Sequence, residues 1–406
     1  MYKIKFIPFL FLLISCTGRT SNKIDTTEIS NVIDLDAGLK NVQTVRLSEI
    51  ADSVTFLPLE TNRGSLLRSS TDGYRFSPSY IFWYNAYFDW TGKYGGFIGR
   101  RGNGPLEEPQ GAYNVVFVDS CFYSIASKLI EYDKTGTPTR KVKPLKGFKI
   151  VALVNNNFAI YDFPTTLYFV NRDFETLASK NILEFHDSLQ PINNETSGRQ
   201  YFTYYQDHVL FYNFVNDTIF YVENNYLDPK WVVHFDDPLS YPDKKILYSD
   251  YNRLTGEAVR ARIQGNYENS EWAQMTDNKH KVIAVYETES FLFVFLKEVI
   301  GFAVGRGIQP PEPYIVYYEK NTGNTAKVKG EGFVDDLLGF NNSFFPTLGI
   351  YDDNLISSIW PYELLAYINE SKAKGREINP QLLALSKQVK EDDNPILIFV
   401  HLKRKL

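Results

Sequence analysis

Cysteine is nearly absent: Cys16 and Cys121 are the two in 406 residues, and they lie far apart in the chain. A disulfide framework is excluded, and with it the small secreted folds that depend on one. No stretch offers the roughly 20 apolar residues that a membrane-spanning helix needs. The apolar run near the start, Phe6 to Ile14, is too short. There is no long block of like charge either. With 43 Lys and Arg against 48 Asp and Glu, the net charge is −5 and is spread along the chain, which gives nucleic-acid binding little support. The five histidines, His186, His208, His234, His280 and His401, are scattered without His-x-x-x-His spacing. No Gly-x-Ser-x-Gly elbow occurs, and Cys121 has no histidine near it in sequence, so nucleophilic hydrolase chemistry has no positive signal. The acidic clusters Asp335-Asp336, Asp352-Asp353-Asn354 and Asp392-Asp393-Asn394 lack the spacing of a calcium loop. They read as turns and a helix end, where Asp and Asn satisfy backbone donors. No metal, cofactor or catalytic residue is expected.

The first positive signal is an address. Lys3 and Lys5 precede the apolar run, which ends in Leu13-Ile14-Ser15-Cys16, a match to the bacterial lipobox. Residues 1–15 read as a lipoprotein signal peptide and Cys16 as the lipidation site. Thr17 stands where Asp would signal inner-membrane retention, which favours the outer membrane. No acidic cluster follows, which favours the periplasmic leaflet. Residues 16–44, rich in Thr, Ser, Asn and Asp, read as a flexible tether.

From Val45 the chain is dominated by short aromatic and β-branched runs divided by turn signals, the pattern of an all-β protein. Aromatic residues make up 16% of the chain, which favours strands over helices. The runs group into meanders, for example Asn114 to Val118, Cys121 to Ile125 and Lys128 to Tyr132, turning at Asp133-Lys134-Thr135-Gly136. Their spacing is near that of a four-stranded propeller blade. Two segments interrupt them. Residues 243–275 read as a partly helical insertion. Residues 361–390 read as a helix, stopped before Pro395, since proline disfavours helical geometry in the residue preceding it. The last run, Ile396 to Leu402, is nearly all apolar and needs a covered place in a sheet.

Three segments carry a family likeness. Val45 to Thr61 contains Leu47-Ser48-Glu49-Ile50-Ala51-Asp52-Ser53 and Leu59-Glu60-Thr61. Gly99 to Pro109 is a glycine-rich crossing between two strands. Asp392-Asp393-Asn394-Pro395 precedes the final apolar strand. On these, the chain from about Val45 to its end resembles the Bacteroides-type six-bladed β-propeller lipoproteins, an NHL-like family without an assigned activity. The resemblance implies an all-β, six-bladed β-propeller of four-stranded antiparallel blades over residues 45–406. It further implies that strands from the two chain ends join in one blade.

Functional candidates are few. The crossing lacks the Gly-Lys-Ser/Thr ending of a phosphate loop, and no helix follows it. Its projecting chemistry is Arg100, Arg101 and Asn103. The two guanidinium groups can pair with Glu107 and Glu108, or bind carboxylates at a channel mouth. Most Tyr and Phe are expected in blade-to-blade packing, and a few at the channel could stack on sugars. The reading is a lipid-anchored binding or scaffold module for a glycan, an acidic small molecule or an envelope protein. The competing class is a propeller enzyme, a metal-dependent lyase, lactonase or glycan-active enzyme, with its site at the channel mouth. Convergent His and carboxylates at one opening would favour the enzyme, whereas aromatics and arginine would favour binding.

Overall fold

In the computed structural model the described residues are 31–404, except 68–72, 109–113, 126–127, 146–148, 163–164, 183–200, 214–216, 239–255, 258–259, 262, 277–278, 299–311 and 341–342. The aromatic and β-branched runs form six antiparallel four-stranded meanders arranged as a propeller. Blade 1 comprises Tyr74–Phe76, Ile81–Trp83, Ala86–Phe88 and Tyr94–Phe97; blade 2 comprises Val116–Val118, Cys121–Ile125, Lys128–Tyr132 and Pro138–Pro144. Blade 3 follows with Lys149–Val154, Asn157–Asp162, Thr166–Val170 and Thr176–Asn181. Blade 4 is Phe202–Tyr205, His208–Phe211, Thr218–Val222 and Leu227–His234. Blade 5 is His280–Glu287, Phe291–Glu298, Tyr314–Glu319 and Thr325–Val328.

Blade 6 is built from both ends of the chain. Gly349–Tyr351, Asn354–Ile359 and Ile396–Leu402 supply three strands, and Ala51–Pro58 supplies the outer one. The two end strands pair antiparallel from Ile396 opposite Pro58 to Leu402 opposite Ala51. This covers the apolar final strand on both edges, as its composition requires. Asn394 reinforces the joint. It is buried, its Oδ1 accepts from the Leu67 amide at 2.8 Å, and its Nδ2 donates to the carbonyls of Glu60 (2.7 Å) and Ser65 (2.8 Å).

Turn chemistry explains why the chain reverses where it does. Asp119-Ser120, Asn155-Asn156 and Asp352-Asp353 each place two consecutive residues at positive φ between the first and second strands of blades 2, 3 and 6. That is the hairpin geometry for which Asn and Asp are the best non-glycine residues. Between third and fourth strands a second device repeats. Asp89 Oδ1 accepts from the Thr91 amide, the Thr91 hydroxyl and the Lys93 amide, and Asp133 does the same with Thr135 and Thr137. The glycines of these turns also make the blade joints. A Cβ on Gly136 would lie 2.3 Å from the Phe97 carbonyl oxygen, and one on Gly92 2.3 Å from that of Pro58. Pro58 and Phe97 end the outer strands of blades 6 and 1. The 6–1 junction is thus built like the 1–2 junction, although the chain is discontinuous in blade 6.

Aromatic side chains fill the spaces between blades. Tyr80 meets Phe117 edge-on at 4.8 Å between centroids, and Tyr161 meets Phe211 at 5.0 Å. The insertion before the final strand is two helices, Pro361–Ala373 and Pro380–Leu385, with Gly375 at φ +62 between them. Leu364, Ile368, Leu382 and Leu385 bury their side chains in the blade 5–6 core. Of the other insertion, the described part includes a helix, Glu271–Thr276, whose Trp272 packs against blades 3 and 4.

One boundary differs from the expectation. The tether over 16–44 does not extend to Gln43. Val32–Asp34 runs parallel to the outer strand of blade 4, and Val42–Gln43 parallel to that of blade 5, joined by a helix, Leu35–Lys40. Ile33 and Leu35 are fully buried, and Gly38 lies so close to Val316 and Thr325 that a Cβ would sit 2.7 Å from the threonine side chain. The anchor positions are single apolar residues among Asn, Asp and Lys, too few to show a period. Cys16 and the signal segment lie outside the described residues.

Replacing Asn394 by alanine would strand the Leu67 amide and the Ser65 carbonyl in the buried joint, at about 1–3 kcal/mol for each unsatisfied group, partly offset by relaxation, while the Glu60 carbonyl keeps the Ser65 hydroxyl. We expect a loss of roughly 3 kcal/mol in urea denaturation. A loss below about 1 kcal/mol would show that the joint does not depend on this side chain.

Candidate functional site

A cavity of about 1090 Å³ is lined by residues of blades 1, 2, 3, 4 and 6. The first strands and the turns that follow them supply most of the lining: Arg75 to Pro78 from blade 1, Tyr204, Gln206 and Asp207 from blade 4, and Tyr351 and Asp352 from blade 6. A volume of this size suits an organic ligand better than an ion or a few waters.

One wall is aromatic. Phe76, Trp90, Tyr351 and Phe399 gather where blades 6 and 1 meet. Trp90 lies nearly parallel to Tyr351 at 5.9 Å, 5.8 Å from Phe399 and 6.3 Å from Phe76. Trp90 Nε1 donates to the Ser77 carbonyl at 3.1 Å, which fixes the indole while leaving 36% of the residue exposed. A tryptophan with its polar atom satisfied and its face open has the form of a stacking platform.

Polar groups share the lining with the aromatic ones. Arg75 Nη1 donates to the Tyr74 carbonyl at 2.8 Å. Of the lining tyrosines, burial raises the Tyr204 and Tyr351 phenols above the ordinary range, so both stay protonated at neutral pH. The Arg75 charge opposes that shift at Tyr204. His401 Nε2 lies 2.9 Å from the Thr55 hydroxyl, and burial lowers its pKa, favouring the neutral ring. Among the described residues, no three His, Cys, Asp or Glu side chains come together as a metal site.

The sequence candidates lie elsewhere. Arg100, Arg101 and Asn103 are exposed on the crossing, and none of them lines the cavity. The crossing folds back on itself, with Arg101 and Glu108 forming a parallel bridge. Buried Glu108 accepts from the Lys128 amide at 2.9 Å, and Glu107 from the Gly104 amide at 3.0 Å. The Lys128 ammonium donates to the Gly104 and Glu107 carbonyls at 2.8 and 2.7 Å. His208 is exposed at its strand end with its ring stacked on Tyr221, and His186 is outside the described residues. Asp352-Asp353 is a hairpin turn.

The chain matches the family described as Domain of unknown function (DUF4934) over residues 30–401. It belongs to that family. No curated protein matches it. Among solved structures, a candidate exported protein of Bacteroides fragilis aligns at a TM-score of 0.60 with 19% identity, covering 92% of this chain and 100% of the other. Two further structures align loosely. The N-terminal domain of Nup159 has a TM-score of 0.34 and 10% identity, over 81% of this chain and 76% of its own. BamB from Moraxella catarrhalis has a TM-score of 0.30 and 12% identity, over 68% and 65%. The first of these shows the same fold.

Sequence reasoning missed Trp90, Tyr351 and Arg75. A signal existed for Trp90. Blade 1's third turn reads Asp89-Trp90-Thr91-Gly92, where blade 2 has Asp133-Lys134-Thr135-Gly136 and blade 3 has Arg172 after Asn171. A large apolar ring where other blades place a cation marks an exposed residue that solubility does not explain.

Proposed function

We propose that this protein is a lipid-anchored binding propeller of the bacterial cell envelope, and that its ligand enters the cavity and packs on the wall formed by Trp90, Tyr351, Phe76 and Phe399. The observation that carries this reading is the cavity itself, a chamber with an aromatic wall, polar groups beside it and a tryptophan fixed by its own hydrogen bond. Aromatics and an arginine line the channel, and among the described residues no three His, Cys, Asp or Glu side chains gather, which favours binding over metal-dependent chemistry. The envelope address rests on the lipobox at Cys16 and is supported by the exported character of the Bacteroides fragilis relative. The outer membrane, periplasmic leaflet, is the proposed site because of Thr17 and the absence of an acidic cluster after the cysteine.

Two measurements test the two halves. Screening oligosaccharides and small metabolites by thermal shift should yield compounds that raise the melting midpoint, as any ligand selective for the native state must. Trp90→Ala and Tyr351→Ala should each weaken those compounds about tenfold, which is roughly 1.4 kcal/mol. Compounds whose binding ignores both substitutions would place the site elsewhere. For the anchor, Cys16→Ala should abolish incorporation of a fatty-acid analogue and release the protein from membranes. Label retained on the variant would exclude Cys16.

A further inference from the structure

Charge is distributed unequally around the cavity. Consecutive residues of a strand point to opposite faces, and residues directly opposite each other in an antiparallel pair share one. In the first strand of blade 1, Tyr74 and Phe76 pack with Phe399 of blade 6. Arg75 stands opposite Phe82, which packs with Phe122 of blade 2. Arg75, the one Lys or Arg among the lining residues, is therefore on the blade 2 face of its strand, away from the aromatic wall. It is also engaged, through the Tyr74 carbonyl at 2.8 Å and a further interaction.

Negative charge lies beside the wall. Asp352 follows Tyr351 in the first hairpin turn of blade 6, lines the cavity and is exposed. Its neighbour Asp353 is used by the fold, since its Oδ1 accepts from the Glu289 amide at 3.0 Å. Among the described residues, no hydrogen bond or ion pair engages the Asp352 carboxylate. Asp207, in the matching turn of blade 4, is the second lining acid and is also exposed. His401 adds no positive charge at neutral pH, because burial favours its neutral ring.

The wall has the same polarity as these acids. An aromatic face is negative and attracts a cation within about 6 Å of its centroid, the indole most strongly. The rings of Trp90, Tyr351 and Phe76 lie 5.9 to 6.3 Å from one another. Ring faces and a carboxylate thus meet at one place, where a cation is attracted by both and an anion repelled by both. The rings accept hydrogen bonds poorly, so a head whose charge is covered by methyl groups gives up least on leaving water. We propose that the cavity takes an organic cation with an alkylated ammonium head, seated on Trp90 and Tyr351 with Asp352 as its counter-charge. This inference rests on the binding reading above and names the ligand's chemical class.

Choline and its neutral carbon isostere, 3,3-dimethylbutan-1-ol, have the same shape and differ in charge. Each is titrated by ligand-detected NMR at neutral pH and low salt into the wild-type protein, Asp352→Asn and Trp90→Ala. Asparagine keeps the shape of the side chain and tolerates the φ of +48 at this position, so the turn is retained. Choline should bind about fivefold or more tightly than the alcohol. Asp352→Asn should lose most of that preference with the alcohol unchanged, and Trp90→Ala should weaken choline about fivefold. Raising the salt to about 0.5 M should weaken choline alone. Equal binding of the two probes would overturn the cation assignment, as would a preference left intact by Asp352→Asn or by Trp90→Ala. Binding of neither probe would overturn it too. The cavity reading is judged separately, by whether compounds from the thermal-shift screen lose affinity in Trp90→Ala and Tyr351→Ala, so the inference can fail while that reading stands.

Discussion

Everything in this structure depends on one strand pairing, Ala51–Pro58 against Ile396–Leu402. A propeller blade has two apolar faces, and each is covered only if the next blade is present. An open chain of six blades would leave one face exposed at each end and the nearly all-apolar final strand without a partner on its outer edge. Pairing the two ends inside one blade removes both exposures together. Asn394 and the loop from Glu60 to Leu67 then tie the last strand to the start of blade 1. The cavity is a consequence of that closure. Its lining comes from blades 1, 2, 3, 4 and 6, and the aromatic wall spans the 6–1 joint, so no single blade contains the candidate site.

The segment that closes the ring does more than supply a strand. Before reaching blade 6 it lies parallel along the outer edges of blades 4 and 5, pinned by Ile33, Leu35 and the tight seat of Gly38. Asn41 and Gln43 add hydrogen bonds to the Thr325 carbonyl and the Tyr317 hydroxyl. The chain ahead of blade 1 therefore covers three consecutive outer edges. Unpaired edges invite association with other chains, so the strap protects these three as it closes the ring.

How much of this was legible in the sequence follows from the range of each interaction. Local chemistry was readable: strands alternate with Asp, Asn and Gly turns, and the helical insertion shows its Leu and Ile spacing. Blade order followed from strand order, and the joining of the chain ends followed from the family likeness. The parts that stayed hidden depend on where strands stand relative to one another across the ring, which no local pattern encodes. Arg100 and Arg101 looked exposed and are, yet the cavity is lined by Arg75, an arginine that reads as ordinary between Tyr74 and Phe76. Tyr351 resembles any strand-end tyrosine until blade 1 is placed beside it. The strap escaped notice because parallel addition of two or three residues needs only one buried side chain at a time.

The central claim is that ring closure by the N-terminal strand holds the whole propeller, cavity included, as one cooperative unit. Native-state hydrogen exchange of the full chain tests this most directly. Amides of Ala51–Pro58 and Ile396–Leu402 should exchange with the slowest class, at the rate set by global unfolding, together with the inner strands of blades 1 and 4. Fast exchange of Ala51–Pro58 while those inner strands stay protected would mean that the ring opens without unfolding, and would contradict the account.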